Sequence, residues 1–194
     1  MDKLRANTGS CAERGIKQMV RKDGSFDEEY PMPWGMNEYF RHYIMTTEIT
    51  GKKTTIFRAT TKTQVEEPMI LFVYSGNGRI VINHFEFKLS RGAFLHLSPF
   101  HNYTIFPDSD SQMELYSCSM SSGLYLYIMA CPYVKFKELH IPQGPAMAQI
   151  SDADCERAKN LFDSIIHRKK DDYYENKVRF LYVIELLGML MYKL

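Results

Sequence analysis

From Met69 to Phe106 the apolar and polar residues fall into short blocks separated by turn residues. MILFVY is an apolar run ended by Ser75-Gly76-Asn77-Gly78, RIVI stops at Asn83-His84, and FEFKL alternates apolar with polar positions. A period of two over so few residues marks a half-buried strand. Ser90-Arg91-Gly92 turns the chain again. AFLHLSPF then runs to Pro99, which has no amide hydrogen for a ladder and so ends or edges a strand. Upstream, 37–49 is rich in aromatic and β-branched residues and reads as a strand, Gly51-Lys52-Lys53 as a turn, and 54–64 as a further strand. Beyond the polar loop 106–111, QMELYSCSM and GLYLYIMACPYVKF read as two strands or one interrupted strand, the latter segment buried on both faces. Roughly eight short strands at such spacing predict a β-sandwich or small barrel.

The period changes at Ser151. Ala158, Leu161, Phe162, Ile165 and Ile166 form the i, i+3, i+4, i+7, i+8 stripe of an amphipathic helix. Ser151 is placed to cap it, with Asp152 and Asp154 at its positive end and Arg168-Lys169-Lys170 at its negative end. Asp171-Asp172, with Glu175 following, open a second helix in the manner of a capping box. Within that helix VRFLYVIELLGMLMY is apolar around most of its circumference, Arg179 and Glu185 being its ionised residues. Such a helix needs cover on several sides. Either it is a central core helix of a monomer, or a second copy of the chain covers it. The second alternative assigns the interface to Leu161, Ile165, Leu181, Ile184, Leu187 and Leu190. The expected organisation is an irregular arm over 1–36, a barrel over 37–148 and a helix pair over 149–194. The arm either hangs loose or packs its aromatic residues on the barrel.

Composition changes this picture mainly by exclusion. A net charge of +1 over 194 residues gives no electrostatic case for direct binding to nucleic acid. Cys11, Cys118, Cys131 and Cys155 are scattered, without a Cys-x-x-Cys pair, and read as free thiols in a reducing cytoplasm. Residues 1–20 carry charges throughout, against a secretory signal. No apolar run reaches the ~20 residues of a membrane helix. The end at Leu194, without a helix stop signal, is expected to be a boundary before a further domain.

Taken together, LFVYSGNGRIVIN, FKLSRGAFLHLSPFHNY and the helix pair over 151–193 resemble the N-terminal regulatory domain of AraC-type transcription regulators. The resemblance covers about residues 40–194. It implies a mainly β fold: a cupin-like jelly-roll barrel followed by two C-terminal α-helices. It also implies a small, possibly sugar-like effector in the barrel, a homodimer through the helices, and DNA contact only through a helix-turn-helix domain outside this chain. On the same resemblance the effector contacts fall at Arg58, His101, Tyr103 and Tyr116. Tyr30 and Trp34 of the arm would fold over the ligand. A one-residue slip of register would turn Leu115 and Ser117 inward in place of Tyr116. For each contact a plainer role stands beside the functional one: a surface residue for Arg58, a cap at the barrel mouth for His101, and core aromatics for Tyr103 and Tyr116.

The competing reading is a metal-dependent cupin enzyme, a dioxygenase or isomerase. A catalytic metal needs several convergent imidazole and carboxylate donors. At the aligned positions this chain has Thr61-Lys62-Thr63 in place of a His pair, and keeps Glu66 or Glu67 and His101. That set is too small, and no Ser or Cys is tied by sequence to a His and an acid. The expectation is therefore a binding domain without catalytic residues, metal or cofactor. His84 reads as a turn residue and His96 as facing out of the barrel or bonding a neighbour.

Overall fold

A computed structural model describes residues 49–109, 112–130, 145–168 and 173–193. The chain divides into two compact units, Met1–Tyr43 and Ile44–Leu194, and every described residue belongs to the second. The arm over 1–36, the strand expected over 37–48, the capping pair Asp171-Asp172 and the basic pair Lys169-Lys170 lie outside the described residues.

Among the described residues nine strands form two antiparallel sheets. The first has the order β1-β8-β3-β6-β9, from Ile49–Ile56, Met113–Met120, Met69–Ser75, Ala93–Leu97 and Ala146–Gln149. The second has the order β2-β7-β4-β5, from Thr63–Gln64, Asn102–Pro107, Gly78–Ile82 and Phe85–Leu89. Val73, Ile80, Ile82, Leu95, Leu97, Ile105 and Met113 fill the space between them. The turns at Gly76 and Asn83 fall where the pattern placed them. Gly76 has φ +87°, a conformation that a Cβ would strain, and Asn83 takes φ +53° in the Asn83-His84 hairpin. Mainly β, with a jelly-roll layering and two C-terminal helices, is thus the architecture of the described residues.

Among the described residues three helices accompany the sheets: α1 (Ser122–Ala130), α2 (Asp152–His167) and α3 (Tyr173–Met191). At α2 the Ser151 hydroxyl accepts from the Asp154 amide, as its sequence position requires. The apolar stripe of α2 is buried at Ala158, Leu161, Phe162 and Ile165. Phe162 enters an aromatic cluster on the outer face of the five-stranded sheet. Its ring stacks on Phe72 at 5.9 Å and lies 6.2 Å from Phe94 and 5.7 Å from Tyr116.

Besides the strand expected over 54–64, of which only 54–56 and Thr63–Gln64 are strand, two segments depart from the expectation. Gly51-Lys52-Lys53 is no turn but the middle of β1, paired with Ser117–Cys118 and Tyr116 on β8. The glycine serves a close approach: a Cβ there would stand 2.9 Å from both Ile165 and Ile166 of α2. The second departure is α1, where a strand was expected. Ser121 starts the helix, its hydroxyl accepting from the Leu124 amide and its carbonyl from Tyr125. Leu124, Tyr125 and Ile128 are buried on one face, but the neighbouring apolar residues hide that period in the sequence.

The helix pair also buries more of itself than the interface assignment allows. Ile165, Leu187 and Leu190 are wholly buried within the chain, and Leu161 is nearly so. In this structure their side chains pack within the chain. Ile184 is half-buried, and Leu181 is exposed. Arg179, expected to be a polar interruption, is itself buried. Its guanidinium donates to the Arg168 carbonyl at 2.7 Å and to the Ile49 carbonyl at 3.3 Å. It thereby joins the end of α2, the middle of α3 and the start of β1.

Candidate functional site

On β1 the side chains of Thr50, Lys52, Thr54 and Ile56 share one face, by the two-residue period of a strand. Across the ladder, Thr50 is opposite Ser119, Lys52 opposite Ser117, and Thr54 opposite Leu115. β3 adds Met69 and Leu71 on the far side of β8, and β7 adds Tyr103 and Ile105 from the other sheet. These residues line a cavity of about 640 Å³, within the range of small-molecule sites.

One wall is a segment with little regular structure. Residues 60–67 pass over the cavity and contribute Thr60, Thr63, Gln64, Val65, Glu66 and Glu67. Hydrogen bonds to β7 and its preceding turn hold the segment. Thr60 donates its amide to the Ile105 carbonyl (2.9 Å), and its hydroxyl accepts from the Ile105 amide (3.0 Å). The Val65 amide donates to the His101 carbonyl at 2.9 Å.

The lining is graded. Toward the start of β1 it presents Thr50, Lys52, Ser117 and Ser119 with Met69 beside Ser119, and toward the end of β1 it presents Thr54, Ile56 and Leu115. Lys52 is exposed and makes no ion pair or hydrogen bond with the described residues. Its neighbour Lys53 points to the opposite face. There it pairs with Glu114 at 2.9 Å and lies 5.5 Å from the Tyr116 ring, contacts that hold its pKa above the usual lysine value.

Of the four residues expected to touch an effector, Tyr103 stands in the cavity wall. Burial raises its phenol pKa. The other three lie elsewhere. Arg58 is exposed, just past the end of β1 and away from the cavity lining. His101 is buried in the turn before β7, where Nδ1 accepts from the Ser98 amide at 3.0 Å. That bond requires a neutral ring, and burial depresses the imidazole pKa. Tyr116 is fully buried on the helix side, with its hydroxyl donating to Glu114 at 3.3 Å. The register is the alternative one, with Leu115 and Ser117 inward. The aromatic set Phe72, Phe94 and Tyr116 is large enough to cover α2, so it decides which face turns toward the helix.

Lys52, Thr50 and the 60–67 wall were not anticipated. The signal for the first two was present: Thr50, Lys52, Thr54 and Ile56 alternate, but Gly51 within the run reads as a turn residue. Among the described residues no three His, Cys, Asp or Glu side chains converge as a metal site would require. Cys118 and Cys155 are free and buried, and burial pushes the Cys118 thiol up to about 12. No described helix is long and apolar enough to cross a membrane.

No family model and no curated protein matches the sequence. Solved structures do share its fold. ToxT from Vibrio cholerae superposes with a TM-score of 0.50 at 6% identity, over 75% of this chain and 57% of that one. ToxT from Vibrio cholerae O395, bound to (E)-4-(8-methylnaphthalen-1-yl)but-3-enoic acid, gives 0.50 at 8% identity, over 71% of this chain and 54% of that one. A cupin 2 conserved barrel domain protein from Salinispora arenicola matches at 14% identity with a TM-score of 0.35, over 38% of this chain and 63% of that one. The match thus spans just over half the length of the ToxT chains, and the barrel and helices described above have the ToxT fold.

Proposed function

We propose that this chain is the effector-sensing part of an AraC-type transcription regulator, and that the effector occupies the cavity bounded by β1, β8 and residues 60–67. ToxT is an AraC-family regulator, and the shared fold supports the reading. The observation that carries it is the cavity lining: Thr50, Ser117, Ser119 and Lys52, which has no partner among the described residues, lie toward the start of β1, and Ile56 and Leu115 toward its end, with Glu66 and Glu67 in the 60–67 wall. A cavity of that kind suits an amphipathic molecule with a compact anionic head and an apolar body. The ToxT ligand, an aromatic butenoic acid, has that character. The head would lie at Lys52, Thr50 and Ser117, and the body against Ile56, Ile105 and Leu115. In this reading DNA contact belongs to a separate domain, and the bound molecule is sensed without being transformed. Ligand would act by shifting the population of states that the helices present.

A medium-chain carboxylate such as octanoate is a suitable probe. Binding to the folded state alone raises the melting temperature in proportion to ln(1 + [L]/Kd). The expected result is a saturable rise in the wild type and little or none in Lys52→Met. A flat response in both proteins would contradict the carboxylate reading.

The hydroxyls of Thr50, Thr54, Ser117 and Ser119 favour a second reading, a sugar-like polyol. A pentose that stabilises wild type and Lys52→Met alike, where octanoate stabilises neither, would select it.

A further inference from the structure

The edge strands of the two sheets meet the hazard of open pairing groups in different ways. β1 carries Lys52 and Lys53 and has α2 against Gly51. β2 has two residues and β9 four, too short to template a partner. β5 is longer than β2 and β9, with five residues, and it carries both signs of charge, Glu86 and Lys88. It lies at the end of the β2-β7-β4-β5 sheet with no strand beyond it among the described residues. Its side chains alternate as Phe85, Phe87 and Leu89 on the core face and Glu86 and Lys88 on the other. Leu89 is buried, yet Phe85 on the same face is 53% exposed, because the sheet stops beside it.

The sequence of the strand specifies what would cover it. In a two-fold antiparallel pair, opposite residues lie on the same face, and each pairing occurs twice. Pairing about Phe87 sets Phe85 opposite Leu89 of a second copy, and Glu86 opposite its Lys88. Pairing about Glu86 or about Lys88 sets like charges face to face. A slip of one residue lays phenylalanine against charge. The intrachain contacts favour the same register. Lys88 lies opposite Arg79 on β4, and Arg79 is already paired with Glu86. Lys88 has no anionic partner among the described residues. The second copy would bring one to it.

We infer that β5 is a self-association edge, through which two copies of this chain pair antiparallel about Phe87 and join their four-stranded sheets. The occupant is a second copy because one register satisfies the apolar face and both charges at once. A five-residue edge buries little area, so the association is weak and concentration-dependent. It lies on the sheet away from α2 and is independent of any ligand in the cavity.

Sedimentation of the full chain from micromolar to millimolar concentration tests this, using Glu86→Lys, Lys88→Glu and the double exchange. The wild type is expected to dimerise. Each single reversal should weaken dimerisation by roughly tenfold, since it places like charges opposite each other at two symmetric positions. The double exchange should restore it, which also shows that the variants fold. Four results would each overturn the inference: a monomer at every concentration, a dimer indifferent to the single reversals, a double exchange no better than the singles, or a dimer lost instead on Leu181→Lys at the exposed face of α3.

Discussion

The two faces of the five-stranded sheet are built from the same strands and behave in opposite ways. On the helix face Phe72, Phe94, Tyr116 and Phe162 close on one another, and each is wholly buried. On the cavity face, β1 and β8 present Thr50, Lys52, Ser117 and Ser119 to open space. Lys53 on the first face is engaged by Glu114 and Tyr116, while Lys52 on the second has no such partner among the described residues. The difference separates two tasks. Aromatic packing on the helix face and the aliphatic core around β3 and β6 on the other hold the fold, which leaves the β1–β8 part of the second face free to carry polar groups that a ligand can satisfy.

That division is easiest to break at Phe162. Truncation to alanine removes the ring shared by α2 and the sheet and should cost about 3–5 kcal/mol, the usual range for a buried Phe. Urea unfolding measures the loss, and a cost below about 1 kcal/mol would mean that the cluster does not anchor α2. Gly51→Ala is next. Its new methyl group meets Ile165 and Ile166 at 2.9 Å, and neither branched side chain can retreat far. A loss of about 1–3 kcal/mol is expected, as for overpacking elsewhere.

A smaller effect should appear with pH. Burial depresses the His101 pKa, and the Ser98 amide bond needs Nδ1 unprotonated. A base with a folded pKa below its unfolded value of about 6.5 contributes stability that is complete above that pH. The contribution is lost as pH falls through the folded pKa. The urea midpoint should therefore drop as pH falls below about 6.5, and His101→Gln should flatten that part of the profile. An unchanged slope in the variant would assign the acid sensitivity to other groups.

The division between the faces was only partly legible in the sequence. Local rules sufficed for the elements governed by local signals: the Gly76 and Asn83 turns, the Ser151 cap and the stripe of α2 stand where their residue types put them. Tertiary packing overrode local rules at Gly51, which is a turn former by composition and a point of helix–strand approach in the fold. At α1 the run SGLYLYIMA is apolar on every side, so no period separates a buried strand from a buried helix. The register of β8 depended on which set of alternate side chains met α2. Position alone could not decide that, and the candidate site followed the register. Tyr103 lines the cavity, Tyr116 does not, and Lys52 was concealed in an apparent turn.

The paired lysines offer the most direct test of whether the open face is a binding site. Octanoate titrated calorimetrically into wild type, Lys52→Met and Lys53→Met should bind wild type and Lys53→Met with similar affinity. Lys52→Met should bind at least tenfold more weakly, about 1.4 kcal/mol, while its unfolding free energy stays within about 0.5 kcal/mol of wild type, as for an unpartnered surface residue. Equal affinity in all three proteins, or a loss confined to Lys53→Met, would contradict the assignment of the anionic head to the cavity face of β1.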